Sequence, residues 1–266
     1  MPTFRSLKFI ATGSALAMVL QTISLLPLET RFVVEPLGVL ELTPTALAKD
    51  SKRITYRPPV KLKRAIRTGG TGARGCNQLG RVEVMPLVPN NHVGQTLSKR
   101  PTFLAYVSGA KAVEFTLVEP NVEKPLVVKT VEPDAQGLVR IELPETAPDL
   151  AVGKDYRWSV SVVCNPNRRS NDVFAQSWIQ RVESSAELQQ KLSTASSEQE
   201  RARIYAEVGV WYDAIAALTK ANQSNPHNLD IRNDLTALLN QENLNQIGFN
   251  LPQSPQTVTS QPMPKR

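Results

Sequence analysis

Between Val82 and Val182 the chain repeats one pattern seven times: a short run rich in β-branched and aromatic residues, closed by turn formers, with no helical segment between any two runs. The runs are Val82–Val88, Thr102–Ser108, Ala112–Val118, Leu126–Val131, Leu138–Leu143, Tyr156–Cys164 and Val173–Val182. Separators such as Pro89-Asn90-Asn91, Ser108-Gly109, Pro120-Asn121 and Asn165-Pro166-Asn167 supply the backbone conformations that turns need. Parallel strands require long crossovers, usually helical, so this spacing excludes βαβ units. It predicts an immunoglobulin-like antiparallel β-sandwich over residues 75–183.

Alternation sets the inward face. In Arg157-Trp158-Ser159-Val160-Ser161-Val162 the apolar residues fall on one side of a strand and the polar ones on the other. Phe103, Ala105 and Val107 form a matching set, as do Phe115 and Leu117. The expected core of the strands is therefore Phe103, Trp158, Val160 and Trp178. Trp158 could alternatively stack on a ligand, but a tryptophan on an alternating strand is ordinarily packed.

At Glu183 the period changes from two toward 3.6. Ser184-x-x-Glu187 and Ser197-x-x-Glu200 read as capping boxes, and helices are expected near 185–192, 198–208, 211–223 and 229–242 with Asn228 as the last N-cap. Ala202, Tyr205, Gly209, Ala214, Leu218, Ala221 and Pro226 match a single tetratricopeptide-like hairpin, although Glu198 and Arg201 stand where large apolar residues are usual. One hairpin cannot bury its own face. Residues 184–248 are thus expected to dock on the sandwich, Trp211 and Tyr212 meeting Trp178 and Ile179, with Tyr205, Trp211 and Leu218 as their core residues, giving an α+β order along the sequence. The proline-rich tail, 249–266, is expected to be disordered.

Residues 1–48 read as an address. Arg5 and Lys8 precede an uncharged run from Phe9 to Leu28, the n- and h-regions of a secretory signal, and Ala46-Leu47-Ala48 offers a cleavage site. A retained membrane anchor through residues 9–28 is the alternative. From Lys49 to Arg74 nine Lys and Arg face Asp50 alone, whereas residues 75–266 hold 19 basic and 20 acidic side chains. With Pro58-Pro59 and Gly69-Gly70-Thr71-Gly72, residues 49–74 read as a disordered basic linker. Its competing roles are contact with an anionic membrane surface or wall polymer, or with nucleic acid. Nucleic acid is the least favoured, since Tyr56 is the single aromatic there.

Two His and two Cys in 266 residues leave little material for a zinc site or a nucleophilic triad. The mean hydropathy of −0.24 excludes a multi-span membrane protein. Cys76 and Cys164 in an exported chain are expected to form a disulfide, with two buried free thiols as the alternative. Arg168 and Arg169, in an Asn- and Pro-rich loop, are the candidate contact for an anionic partner. The bland reading is a hairpin loop that satisfies its own backbone, and two arginines beside one carboxylate exclude calcium.

The ordered set Arg74-Gly75-Cys76, Leu97-Ser98-Lys99-Arg100-Pro101-Thr102-Phe103, Tyr156 through Pro166, Arg169-Ser170, Trp178-Ile179-x-Arg181-Val182 and Ile204-Tyr205-Ala206-Glu207-x-Gly209-x-Trp211-Tyr212-Asp213-Ala214 resembles the cyanobacterial family called domain of unknown function 928. The resemblance covers residues 70–245. It implies an exported cyanobacterial protein with a sandwich-like part followed by helices, and it implies no activity, catalytic residue or cofactor.

Two function classes follow. The leading one is a non-enzymatic periplasmic or secreted protein of the cell envelope that presents an interaction surface to a protein or polymer. It needs no cofactor or metal and does not bind nucleic acid. The other is an envelope-polymer hydrolase using a carboxylate pair brought together by the fold.

Overall fold

The computed structural model describes residues 53–60, 67–72, 76, 81–135 and 137–245. The signal or anchor at 1–48 and the tail at 249–266 lie outside the described residues. The fold is α+β, with two sheets followed by four helices. The strands are β1 (Gly70–Gly72), β2 (Val82–Pro86), β3 (Gly94–Thr96), β4 (Thr102–Ser108), β5 (Val113–Val118), β6 (Val127–Val131), β7 (Leu138–Glu142), β8 (Asp155–Val162) and β9 (Val173–Arg181). One sheet has the order β1-β2-β4-β7 and the other β3-β9-β8-β5-β6, antiparallel throughout except where β3 runs parallel to β9.

The seven apolar runs all form strands, and their alternation decides which side chains fill the space between the sheets. Trp158, Val160 and Phe103 are fully buried, and the Phe103 ring lies 5.0 Å from Phe115 and 5.1 Å from Trp158 on the facing sheet. Trp178 departs from its assigned place in the core. On β9 the inward positions are Val173, Ala175, Ser177 and Ile179, so period two turns Trp178 to the outer face opposite Arg157, where it is only half-buried.

The stretch read as a disordered linker is built into the fold wherever it is described. Its β1 pairs with β2 on one sheet, while Thr68 exchanges hydrogen bonds with Gln176 of β9 on the other: Thr68 N–H donates to the Gln176 carbonyl at 3.2 Å and Gln176 N–H to Thr68 Oγ1 at 2.8 Å. The segment thereby bridges the two sheets along one edge. Its glycines serve close approach, since a Cβ on Gly70 would run into the Phe174 carbonyl and one on Gly69 would sit 2.7 Å from Met85 Cε. Charge repulsion is offset because the Arg67 guanidinium donates to the Val88 carbonyl at 2.8 Å and Arg57 pairs with Glu207 at 3.7 Å.

The helices are α1 (Ala186–Thr194), α2 (Glu198–Glu207), α3 (Trp211–Ser224) and α4 (Leu229–Gln241). Ser197 caps α2 by accepting from Glu200 N–H, and Asn228 caps α4 by accepting from Asp230 and Ile231 N–H. At α1 the cap is Ser185, one residue later than the expected box, and Glu187 is left to pair with Lys191 at 2.7 Å. Helix α2 ends in a Schellman motif. Gly209 adopts φ +81°, with Gly209 N–H donating to the Ala206 carbonyl and Val210 N–H to that of Tyr205.

Helix α3 packs against β3 and β4. Trp211 and Leu218 are fully buried, and Tyr205 is partly so. The Trp211 indole N–H donates to the Leu87 carbonyl at 2.8 Å. Tyr212 enters the space between the sheets, its ring 5.8 Å from Phe103.

Candidate interaction site

The loop that carries the chain from β3 to β4, the adjoining strand β7 and helices α2 and α3 together enclose a cleft of about 200 Å³. Four cationic side chains line it: Arg100 from the loop, Arg140 from β7, Arg201 from α2 and Lys220 from α3. Most of their charge is answered locally. Arg100 pairs with Asp149 at 2.8 Å, Arg140 Nε with Glu142 at 3.0 Å, and Lys220 with Glu198 at 2.8 Å. Arg140 Nη1, however, is buried without a hydrogen-bond partner, an arrangement that costs free energy unless a ligand oxygen supplies one.

Asp213, in the first turn of α3, also lines this cleft. Its Oδ2 accepts from Leu97 N–H at 3.1 Å and it is hydrogen-bonded to the Thr96 side chain, which orders the loop that presents Arg100. Burial pushes its pKa above the usual carboxylate range, against those same hydrogen bonds. Asp149, the partner of Arg100, moves the other way, because hydrogen bonds from Lys99 and Arg100 favour its ionised form.

The arginine loop singled out in the sequence lies elsewhere. Arg168 and Arg169 are exposed at a single 3-10 turn, Arg169–Asn171. The Arg169 guanidinium donates to Asp172 at 2.6 Å and to Glu114 at 2.7 Å, which raises its pKa further. Held by two carboxylates, it presents no free charge to an anion. The hydrogen bond from Asn167 N–H to Asn165 Oδ1, at 2.8 Å, shows the loop satisfying its own backbone. Cys76 and Cys164 are bonded, with Cα atoms 4.8 Å apart, tying the approach to β2 to the end of β8.

Three buried polar residues tie the helices, the β2–β3 connection and the N-terminal segment to one another, contacts that sequence reasoning did not foresee. Asp234 of α4 is 2% exposed and accepts from Arg203 at 2.7 Å, from Gln199 at 2.8 Å and from the backbone N–H of Ile54 at 3.1 Å. Glu242 accepts from Asn90 N–H at 2.9 Å, and burial raises its pKa. His92 is buried and its pKa lowered for the same reason. Its Nδ1–H donates to Asn91 Oδ1 at 3.0 Å, which fixes the neutral tautomer whose Nε2 accepts from the Tyr56 hydroxyl at 2.8 Å. A signal existed for Asp234: it interrupts the stripe Ile231, Leu235 and Leu238, where a carboxylate needs a partner.

A larger depression, about 680 Å³, lies at the other end of β4, between the β4–β5 and β6–β7 loops that cross from one sheet to the other. Its polar groups are turn-makers: Asp134 Oδ1, for instance, accepts from Leu138 N–H at 2.7 Å. Among the described residues no group of three His, Cys, Asp or Glu is placed to hold a metal ion, and no helix is long and apolar enough to cross a membrane.

The chain belongs to the family described as Domain of Unknown Function (DUF928), whose pattern matches residues 69–250. That agrees with the motif set read over residues 70–245. No curated protein matches the chain.

Proposed function

We propose that the protein is an exported, non-enzymatic binding module of the cell envelope, in which an immunoglobulin-like sandwich and a single tetratricopeptide-like hairpin jointly form a cleft for an anionic group on a partner protein or polymer. The observation that carries this reading is the unpartnered Arg140 Nη1 in a cleft with Arg100, Arg201 and Lys220. Arginine favours carboxylate and phosphate oxygens because its planar fork matches their geometry. Export is supported by the charged, then apolar, start of the chain and by the Cys76–Cys164 bond, which persists in oxidising compartments.

The competing hydrolase reading would draw on Asp213 and Glu198, which both line the cleft. Each has a structural partner, Leu97 N–H for Asp213 and Lys220 for Glu198, which supports a scaffolding role for both over the hydrolase reading.

Affinity capture from an envelope extract tests the proposal. The wild type should retain a partner that the Arg140→Gln/Arg201→Gln double variant loses, and retention should fall with salt. A partner held equally by both proteins removes the cleft from the account. Recovery of the full-length chain from the soluble cytoplasm removes export.

A further inference from the structure

Away from the cleft, the outer face of the five-stranded sheet carries a second kind of surface. Gln176, Ser159 and Thr116 lie in register across it on β9, β8 and β5. On β9, Phe174 and Trp178 flank that row, Phe174 opposite Ser161 and Trp178 opposite Arg157. Phe174 is 54% exposed and Trp178 half-buried, so two aromatic side chains about 13 Å apart border the short side chains of β8. The exposed Phe174 ring leaves apolar surface in water that a ligand can cover.

The ground beside these rings is uncharged and able to form hydrogen bonds. Among the described residues, none bonds to the Trp178 indole N–H, the Gln176 amide or the hydroxyls of Thr116, Ser159 and Ser161. At one end Glu114 is neutralised by Arg169 at 2.7 Å, and at the other Arg157 is exposed. Amides and hydroxyls both donate and accept, as sugar hydroxyls do. A pyranose ring adds an apolar C–H face that packs on an aromatic plane, so it meets both halves of this surface. A stable protein interface buries roughly 800 Å² per partner. From β9 to β6 the ground is three strand spacings wide, and from Phe174 to Trp178 four residues long, about 200 Å² in all. That is room for a narrow chain.

We infer that this outer face is a binding site for a neutral polysaccharide, whose rings stack on Phe174 and Trp178 and whose hydroxyls bond to Gln176, Ser159 and Thr116. The site is distinct from the cationic cleft and stands without it and without export.

The test runs the full chain through native gels cast with hydroxyethylcellulose, dextran, galactomannan or soluble starch, all uncharged. At least one should retard the wild type, equally at low and high salt. Phe174→Ala, at an exposed position, should weaken that binding about five-fold. Ser159→Tyr, which fills the space between the rings and β5, should abolish it. Arg140→Gln/Arg201→Gln should leave it unchanged, which separates this face from the cleft. Tryptophan emission gives a second readout: Trp158 and Trp211 are fully buried, so a shift to the blue on adding the polymer reports Trp178. No retardation by any of these polymers overturns the proposal, and so does retardation that Phe174→Ala and Ser159→Tyr both leave intact. Binding confined to polygalacturonate and lost with salt would overturn the neutral ligand in favour of an acidic polymer. A dimer that Phe174→Ala dissolves would name a second copy as the occupant.

Discussion

The indole N–H of Trp158 donates to the hydroxyl oxygen of Tyr212 across 2.7 Å, and that hydroxyl donates in turn to the Trp178 carbonyl at 3.0 Å. Trp158 lies mid-way along β8 and Tyr212 in the first turn of α3, so the bond joins the middle of the core to the start of the third helix. Both rings are fully buried, and burial holds the Tyr212 hydroxyl well above its usual ionisation range. Neither partner has water to fall back on.

Removing that hydroxyl should therefore weaken both parts of the molecule at once. Tyr212→Phe takes the hydroxyl acceptor from the buried Trp158 N–H and one donor from the Trp178 carbonyl, at a cost of about 1–3 kcal/mol. Trp211→Ala removes a fully buried ring and should cost about 3–5 kcal/mol. In each case far-UV and near-UV circular dichroism should report one shared, lowered transition. A helical signal that melts ahead of an unchanged β-signal would show the helices to be independent.

The disulfide closes a loop with a sequence separation of 88 between Cys76 and Cys164. Reduction, or the Cys76→Ser/Cys164→Ser pair, should lower stability by about 2–5 kcal/mol. Thiol labelling of the denatured, unreduced protein should find no reactive cysteine. Two reactive thiols would contradict the bond.

The elements legible in the sequence are those whose burial follows from a local period. Trp158 could be placed because Arg157, Ser159 and Ser161 flank and follow it, and Ser197 because Glu200 stands three residues on. Strand β3 could not be read, since Gly94-Gln95-Thr96 carries no apolar pattern and owes its strand to Ile179 and Arg181 beyond it in the chain. The order of the described residues 53–60 and 67–72 is hidden for a related reason: glycines and charge report composition, whereas the partners of Thr68, Arg67 and Ile54 lie more than a hundred residues away on β9 and α4, or across the turn at Val88. The candidate cleft was hidden likewise, because Arg100, Arg140 and Arg201 come together only through the topology. Trp178 shows the converse failure, in which hydrophobicity was followed where the period of the strand pointed outward.

Gly94 offers a sharp test of the packing between β3 and α3. A Cβ at this position would lie 2.7 Å from the Tyr212 ring, a contact the fully buried tyrosine cannot relieve without moving α3. Gly94→Ala should destabilise the fold by about 1–3 kcal/mol, the usual range for overpacking. Gly94 is not among the positive-φ glycines, so the loss carries no left-handed backbone strain, and in a Tyr212→Leu background, where the ring the Cβ meets is gone, the same substitution should cost less. An equal loss in both backgrounds would remove the clash as the cause.

His92 gives the fold a pH dependence of defined sign. Burial lowers its pKa below the ordinary value of about 6.5, so the unfolded chain takes up the proton first as the pH falls. Its contribution is therefore present in full above about pH 6.5 and is lost as the pH drops through that value toward the folded pKa. Asp213 and Glu242 act in the opposite sense. Burial raises their pKa, which favours their protonated forms in the folded state, so their contribution is greatest on the acid side and falls as the pH rises from the ordinary carboxylate range through their folded values. Comparison with His92→Gln isolates the histidine, because glutamine can accept from Tyr56 and donate to Asn91 but does not titrate. Between pH 7.5 and pH 5 the wild type should lose stability relative to this variant, measured by urea denaturation at each pH. A stability difference that stays constant across that window would show that His92 takes up its proton as readily in the folded protein as in the unfolded chain.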